Sequence, residues 1–166
     1  MSLTKLNEKK AKAKRIISEL KIRDYFREQL YKFIDVIFDY VDVEAILLYG
    51  SVARGKGYPL KSDIDIILVS SNLPPLGIER TLLRRKVAAK RPKDVEAIWA
   101  TPEEFDCMYR KRLGFILDAL YEGLIILDEN GFLRKYKQLL QEDLAQGKLT
   151  RRRGAWFLKS GAILKY

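Results

Sequence analysis

Between Leu47 and Val69 the chain reads LLYGSVARGKGYPLKSDIDIILV, two apolar runs joined through a glycine-bearing turn, with two aspartates in alternate positions where the second run begins. Asp63 and Asp65 are read as leaving one face of a strand, their Cα atoms roughly 6.5–7 Å apart. From that spacing two carboxylates can converge on divalent ions about 3.5–4 Å from each other. Gly50 lets backbone N–H groups approach a phosphate closely, and Ser51 adds a hydroxyl donor at the same turn. Like charges running straight into Ile66-Ile67-Leu68-Val69 cost stability unless a cation neutralises them. A metal-bound nucleotide is the ligand these residue types suit. Arg54, Lys56 and Lys61 on the intervening loop can either touch phosphates or simply solvate it.

Apolar residues at Phe26, Leu30, Phe33, Ile34, Ile37, Phe38 and Val41 mark an amphipathic helix over Arg23–Val41, which should pack on a sheet. Ala13, Ile16, Ile17 and Leu20 give a weaker pattern for an earlier helix, separate from the next or continuous with it. Val43–Tyr49 and Ile64–Ser70 read as strands. The proline- and glycine-bearing loop SNLPPLG follows, then a helix that Pro92 should stop, then a strand over Val95–Ala100. Thr101-Pro102-Glu103-Glu104 has the form of a capping box with proline in the first turn. One helix is expected from there to Gly123, burying Phe105, Met108 or Tyr109, Leu113, Ile116, Leu117 and Leu120, with Cys107 at the edge of that stripe and counted as core. A strand at Leu124–Leu127 and a helix from Phe132 to Leu144, ended by Gly147, complete the pattern. The remaining tail shows no clear period and mixes Arg151, Arg152 and Arg153 with Trp156, Phe157 and an apolar Ala162-Ile163-Leu164. It is expected to pack on the domain or contact a partner protein.

This order specifies an α/β domain of the α+β type, a small mixed β-sheet flanked by helices, with strand order left open. The expected division is a basic helical extension over residues 1–22, a core domain over 23–147 and a basic, aromatic tail over 148–166. At 166 residues and 48% apolar composition the chain can build one sizeable core. It has no histidine and a single cysteine, which excludes a histidine-containing zinc site, a Ser-His-Asp relay and an internal disulfide. No apolar run reaches the ~20 residues of a membrane span, and the lysine-rich start lacks a secretory signal, so a cytoplasmic protein is expected. Lys and Arg number 32 against 22 Asp and Glu, a formal charge of +10, concentrated near the N-terminus and in RTLLRRKVAAKRPK over residues 80–93. Such charge favours polyanions, nucleic acid among them, although a solvated helix face has the same composition.

Gly50-Ser51, eleven intervening residues and Asp63-Ile64-Asp65, set between apolar strands, resemble the signature of the DNA polymerase beta-like nucleotidyltransferase superfamily, in particular its minimal nucleotidyltransferases. The resemblance runs over roughly residues 23–133. It implies a mixed sheet whose three carboxylates hold two magnesium ions, for which manganese can substitute, around a nucleoside triphosphate expected to be ATP. Asp63 and Asp65 match the first two acids. For the third, Asp94 and Glu96 share a face by alternation, and register with TPEEF selects Glu96, one methylene longer than the aspartate many members carry. Nucleotide-binding roles fall to Gly50, Ser51, Arg54, Lys61 and Ser62. The implied activity is transfer of a nucleoside monophosphate to an acceptor hydroxyl of a protein, nucleic acid or small molecule, with release of pyrophosphate. The alternative is an antitoxin-like nucleotide-binding protein paired with a helical-bundle toxin.

Overall fold

The apolar runs on either side of Gly50 lie side by side at the centre of a four-stranded sheet. In the computed structural model, which describes residues 3–159, β1 (Ala45–Tyr49) pairs antiparallel with β2 (Ile64–Val69). β3 (Val95–Ala100) runs parallel to β2, and β4 (Leu124–Asp128) antiparallel to β1, giving the order β3-β2-β1-β4. The sheet is mixed, as expected, and β3 is one of its edges. Asp63 falls one residue before β2 instead of on it, and the strands at Val43–Tyr49 and Ile64–Ser70 are each slightly shorter than the apolar runs.

Alternation along the strands divides the interior into two cores. Ile46, Leu48, Ile64, Ile66 and Leu68 face α1 (Leu3–Glu19) and α2 (Asp24–Ile37), together with Val87 of α4 (Ile78–Ala88). Ala45, Leu47, Ile67 and Val69 face α5 (Pro102–Arg110), α6 (Gly114–Glu122) and α7 (Phe132–Ala145). α1 and α2 are separate helices, broken at residues 20–23. α1 packs against α2 and β4, burying Ala13 and Ile17, and four of its lysines pair with acids: the buried Lys9 with Asp42 at 2.9 Å, Lys10 with Asp39 at 2.7 Å, Lys12 with Glu129 at 3.0 Å and Lys14 with Asp35 at 2.7 Å. Among the described residues no helix is long and apolar enough to cross a membrane.

Two expectations require correction. The helix expected from Thr101 to Gly123 is two helices: Arg112 takes a left-handed conformation (φ 53°), and α6 starts afresh at Gly114. The break redirects α6 onto α7 and β1, and the Arg112 guanidinium closes it by pairing with Asp143 at 2.7 Å over the Tyr109 ring. Cys107, counted as core, is exposed on α5. The capping box at Thr101 and Glu104 forms as expected, and Glu104 also accepts from Nη1 of the buried Arg80, at 2.9 Å on Oε1 and 2.7 Å on Oε2. Burial pushes the Glu104 carboxyl up, but the Arg80 hydrogen bond and the Thr101 N–H outweigh it and hold the group below its ordinary value.

The tail has a definite structure. β5 (Leu149–Arg152) and β6 (Ala155–Leu158) form an antiparallel hairpin through the two-residue turn Arg153-Gly154, both with positive φ, the conformation tight hairpins require. Leu149 enters the second core, Trp156 donates to Asp118 at 3.0 Å and meets Tyr121 edge-on, and Arg151 bonds Asp118 at 3.0 Å. Trp156→Ala is therefore expected to destabilise the chain by about 2 kcal/mol in urea unfolding, with triphosphate binding retained. An unchanged unfolding midpoint would mean that the hairpin contributes nothing to the fold. The expected apolar Ala162-Ile163-Leu164 lies outside the described residues.

Candidate active site

Tyr49, Asp65 and Glu96 form a row across three neighbouring strands. Tyr49 is the antiparallel partner of Asp65, and Asp65 is the parallel partner of Glu96. By alternation all three lie on the α5–α7 face, beyond the last apolar residues that fill it. They line a cleft of about 340 Å³ with Arg84, Arg91, Ala97 and Ile98. Asp65 is half-buried, whereas Asp63 and Glu96 are exposed. Burial raises the Asp65 carboxyl above its ordinary value, Glu96 and Asp63 raise it further, and Arg54 acts in the opposite direction. Burial also pushes the Tyr49 hydroxyl up to about 12, with Asp65 and Glu96 adding to the effect. The row is a negative pole whose charges are short of neutralisation.

The turn after β1 explains the glycine. Gly50 has φ +74°, and a Cβ there would run into Asp65 Oδ2 and come within 3.1 Å of its Cγ. Only glycine leaves that carboxylate its place. Gly50–Ala53 is a single helical turn, α3, whose first backbone N–H groups find no partner within so short a helix. Ser51 sits in it, directly after the glycine that abuts Asp65.

Arg54 is paired with Glu122 on α6 and is close enough to Asp65 to act on its titration. Glu122 is reached also by Arg151 of the hairpin, at 3.5 Å. The Ser62 hydroxyl accepts from the Tyr58 N–H at 3.0 Å, so it closes its own loop, and Lys56 and Lys61 are exposed on that loop. Asp94 stands apart from the row: it precedes β3, and its carboxylate accepts from the Tyr25 hydroxyl on α2. Of the two candidates for a third acid, Glu96 is the one aligned with Asp65.

Four contributors were not read from the sequence as site residues. Tyr49 could have been found by extending the alternation of Ala45 and Leu47 by one step. Arg84 and Arg91 belong to a basic run that composition alone cannot aim, although their spacing of seven residues suits one helical face. Glu122 gave no local signal, because its partners Arg54 and Arg151 are distant in sequence.

The carboxylates of Asp63, Asp65 and Glu96 offer only oxygen donors, which suit a hard divalent cation and not a thiophilic one. Among the described residues no group of three or more His, Cys, Asp and Glu is drawn close enough to hold a metal ion by itself. The carboxylates do not converge, but Glu96 and Asp63 are near enough to Asp65 to raise its pKa.

The chain belongs to the polymerase beta-like nucleotidyltransferase domain family, whose sequence model matches residues 21–127. A search of curated proteins gives no match. Among solved structures the chain is similar to a toxin–antitoxin complex with AMP-PNP, at 18% identity and a TM-score of 0.46 over 70% of this chain and 87% of that one. It is similar to a mutant form of the toxin–antitoxin MntA–HpeT at 15% identity and a TM-score of 0.45, again over 70% and 87%. A candidate nucleotidyltransferase from Sulfolobus solfataricus matches at 19% identity and a TM-score of 0.38 over 63% and 87%.

Proposed function

We propose that this chain is a metal-dependent nucleotidyltransferase that moves the nucleoside monophosphate of a triphosphate, ATP by expectation, onto an acceptor hydroxyl. The observation that carries the reading is the row of Asp65 and Glu96 beside Gly50, an under-neutralised carboxylate pair at a turn where a Cβ would displace the Asp65 carboxylate. Family membership supports it.

Asp63, Asp65 and Glu96 would hold two magnesium or manganese ions. Bound there, the ions would neutralise the triphosphate and lower the pKa of the attacking hydroxyl. The N–H groups of the Gly50-Ser51 turn and the Ser51 hydroxyl would grip the terminal phosphates, with Arg54 and Lys61 adding positive charge around them. Arg54 must partly release Glu122 to do so. In the transfer the acceptor oxygen bonds to the α-phosphorus as the bond from that phosphorus to the bridging oxygen breaks. Pyrophosphate leaves with the electron pair, and the hydroxyl proton passes to water. With no histidine in the chain, the hydroxyl must be activated without an imidazole base.

Incubation with each α-labelled triphosphate and magnesium or manganese, in a lysate of the source organism, tests the reading. A labelled acceptor supports it. Triphosphate binding without any labelled product would replace it by the alternative of a nucleotide-binding partner protein. Within the site, Glu96→Gln is expected to lower transfer roughly 100-fold or more, since it removes the charge of a proposed metal ligand at constant volume, a loss of about 3 kcal/mol of transition-state stabilisation. Asp94→Asn should leave the rate largely unchanged, because its carboxylate serves Tyr25. The reverse ranking would assign the third acid to Asp94.

A further inference from the structure

The two basic runs of this chain are in different electrostatic situations. On α1, Lys9, Lys10, Lys12 and Lys14 each have an acidic partner. Over residues 80–93 only Arg80 is ion-paired, with Glu104, and it is buried. Arg84, Arg85 and Lys86 are exposed, and among the described residues no carboxylate pairs with them. Clustered like charge repels itself and draws a polyanion to the surface that carries it.

That surface has a shape. Arg84, Arg85 and Arg91 line a groove of about 230 Å³ against Ala97 and the half-buried Trp99 of the edge strand β3. Arg84, Arg91 and Ala97 also line the cleft that contains Asp65 and Glu96, so groove and cleft share a wall. Guanidinium groups bond phosphate oxygens in a bidentate manner, and an indole presents a face on which a base can stack. Bases can reach Trp99 only when unpaired, since a duplex hides their faces within its own stack.

We propose that the groove between α4 and β3 binds the 3′-terminal segment of a single-stranded nucleic acid, and that this strand is the acceptor whose terminal hydroxyl enters the cleft. The acceptor role rests on the transferase reading above; the binding site does not. Arg84 and Arg85 hold the backbone, Trp99 stacks a base, and the shared wall, where Arg91 is tied to the carbonyls of Pro92 and Val95, delivers the end of the strand to the carboxylates.

The test is fluorescence anisotropy of the full chain with a 5′-labelled single-stranded RNA, and with DNA of the same sequence, across a range of salt concentrations and without triphosphate. Affinity should fall steeply with salt. Arg85→Ala should reduce the slope of log affinity against log salt by roughly 0.7, the share of one phosphate contact on a single strand. Trp99→Leu, which keeps an apolar side chain in place, should weaken binding about fivefold or more with the slope unchanged. Removing one charge from the hairpin, through Arg152→Ala or through Arg153→Ala, should leave affinity as it was. Parental binding in both Arg85→Ala and Trp99→Leu, or loss confined to the hairpin variants, overturns the site. So does labelling of a protein acceptor by a chain that binds neither oligonucleotide. An oligonucleotide that binds in the groove but takes up no label from any triphosphate supports the site and overturns its acceptor role together with the transferase reading.

Discussion

Asp65→Asn is expected to abolish nucleotidyl transfer, by about 10³-fold if the lost carboxylate supplies ~4 kcal/mol of transition-state stabilisation through the ions it holds. The same substitution should leave the fold intact and, without metal at neutral pH, as stable as the parent or more so. Burial, Glu96 and Asp63 all raise the Asp65 pKa, so the folded chain holds that proton more tightly than the unfolded one. Stability from this group is therefore fully present below the ordinary carboxylate range and is lost as pH rises through the raised folded value. Asparagine removes that loss at nearly constant volume. Thermal melts of parent and variant should coincide in acid and separate in the variant's favour as pH rises. Asp63→Asn should share the loss of activity with a smaller effect on stability, because Asp63 is exposed. Magnesium binding unchanged in both variants, measured by calorimetry with nucleotide present, would sink the two-metal site.

Gly50→Ala should be nearly as damaging to activity for a different reason. The residue is held at φ +74°, where an L side chain costs roughly 1–2 kcal/mol, and its Cβ would displace the Asp65 carboxylate. A shift of about 1 Å in that carboxylate is enough for a 10²-fold loss. Displacement of Asp65 should lower metal affinity along with the rate. The double variant Gly50→Ala with Asp65→Asn gives the discriminating measurement: if the glycine acts through the carboxylate, the two losses will not add. Full additivity would show that Gly50 acts on the phosphates alone.

Much of the local structure was legible because it depends on short-range chemistry. The stripe in α2 follows from helical spacing, the start of α5 from a capping box that needs four consecutive residues, and the two central strands from β-rich runs bounded by turns. The break at Arg112 was not legible, since apolar spacing continues across it and only Gly114 hinted at an interruption. The hairpin was missed because its strands are only four residues each and one of them is LTRR. Its order comes from Asp118, Tyr121 and Glu122, partners about 30 positions away.

By itself the sequence determined the chemistry on offer: two aspartates before an apolar run, a glycine that must lie close to something, no histidine to act as a base, and a surplus of positive charge. Those are properties of residue types and near neighbours, and they hold in any fold that keeps the strands. Only the tertiary structure decided which groups meet. Parallel pairing of β2 with β3 sets Glu96 beside Asp65 and leaves Asp94 to Tyr25, a choice that alternation along one strand could not make because both acids share its parity. The docking of α1 pairs the N-terminal lysines with acids, whereas the crossing of α4 beside an edge strand leaves Arg84 and Arg85 without a carboxylate partner near Trp99. Net charge is additive along a chain, but its neutralisation depends on distances across space, and those are set by packing.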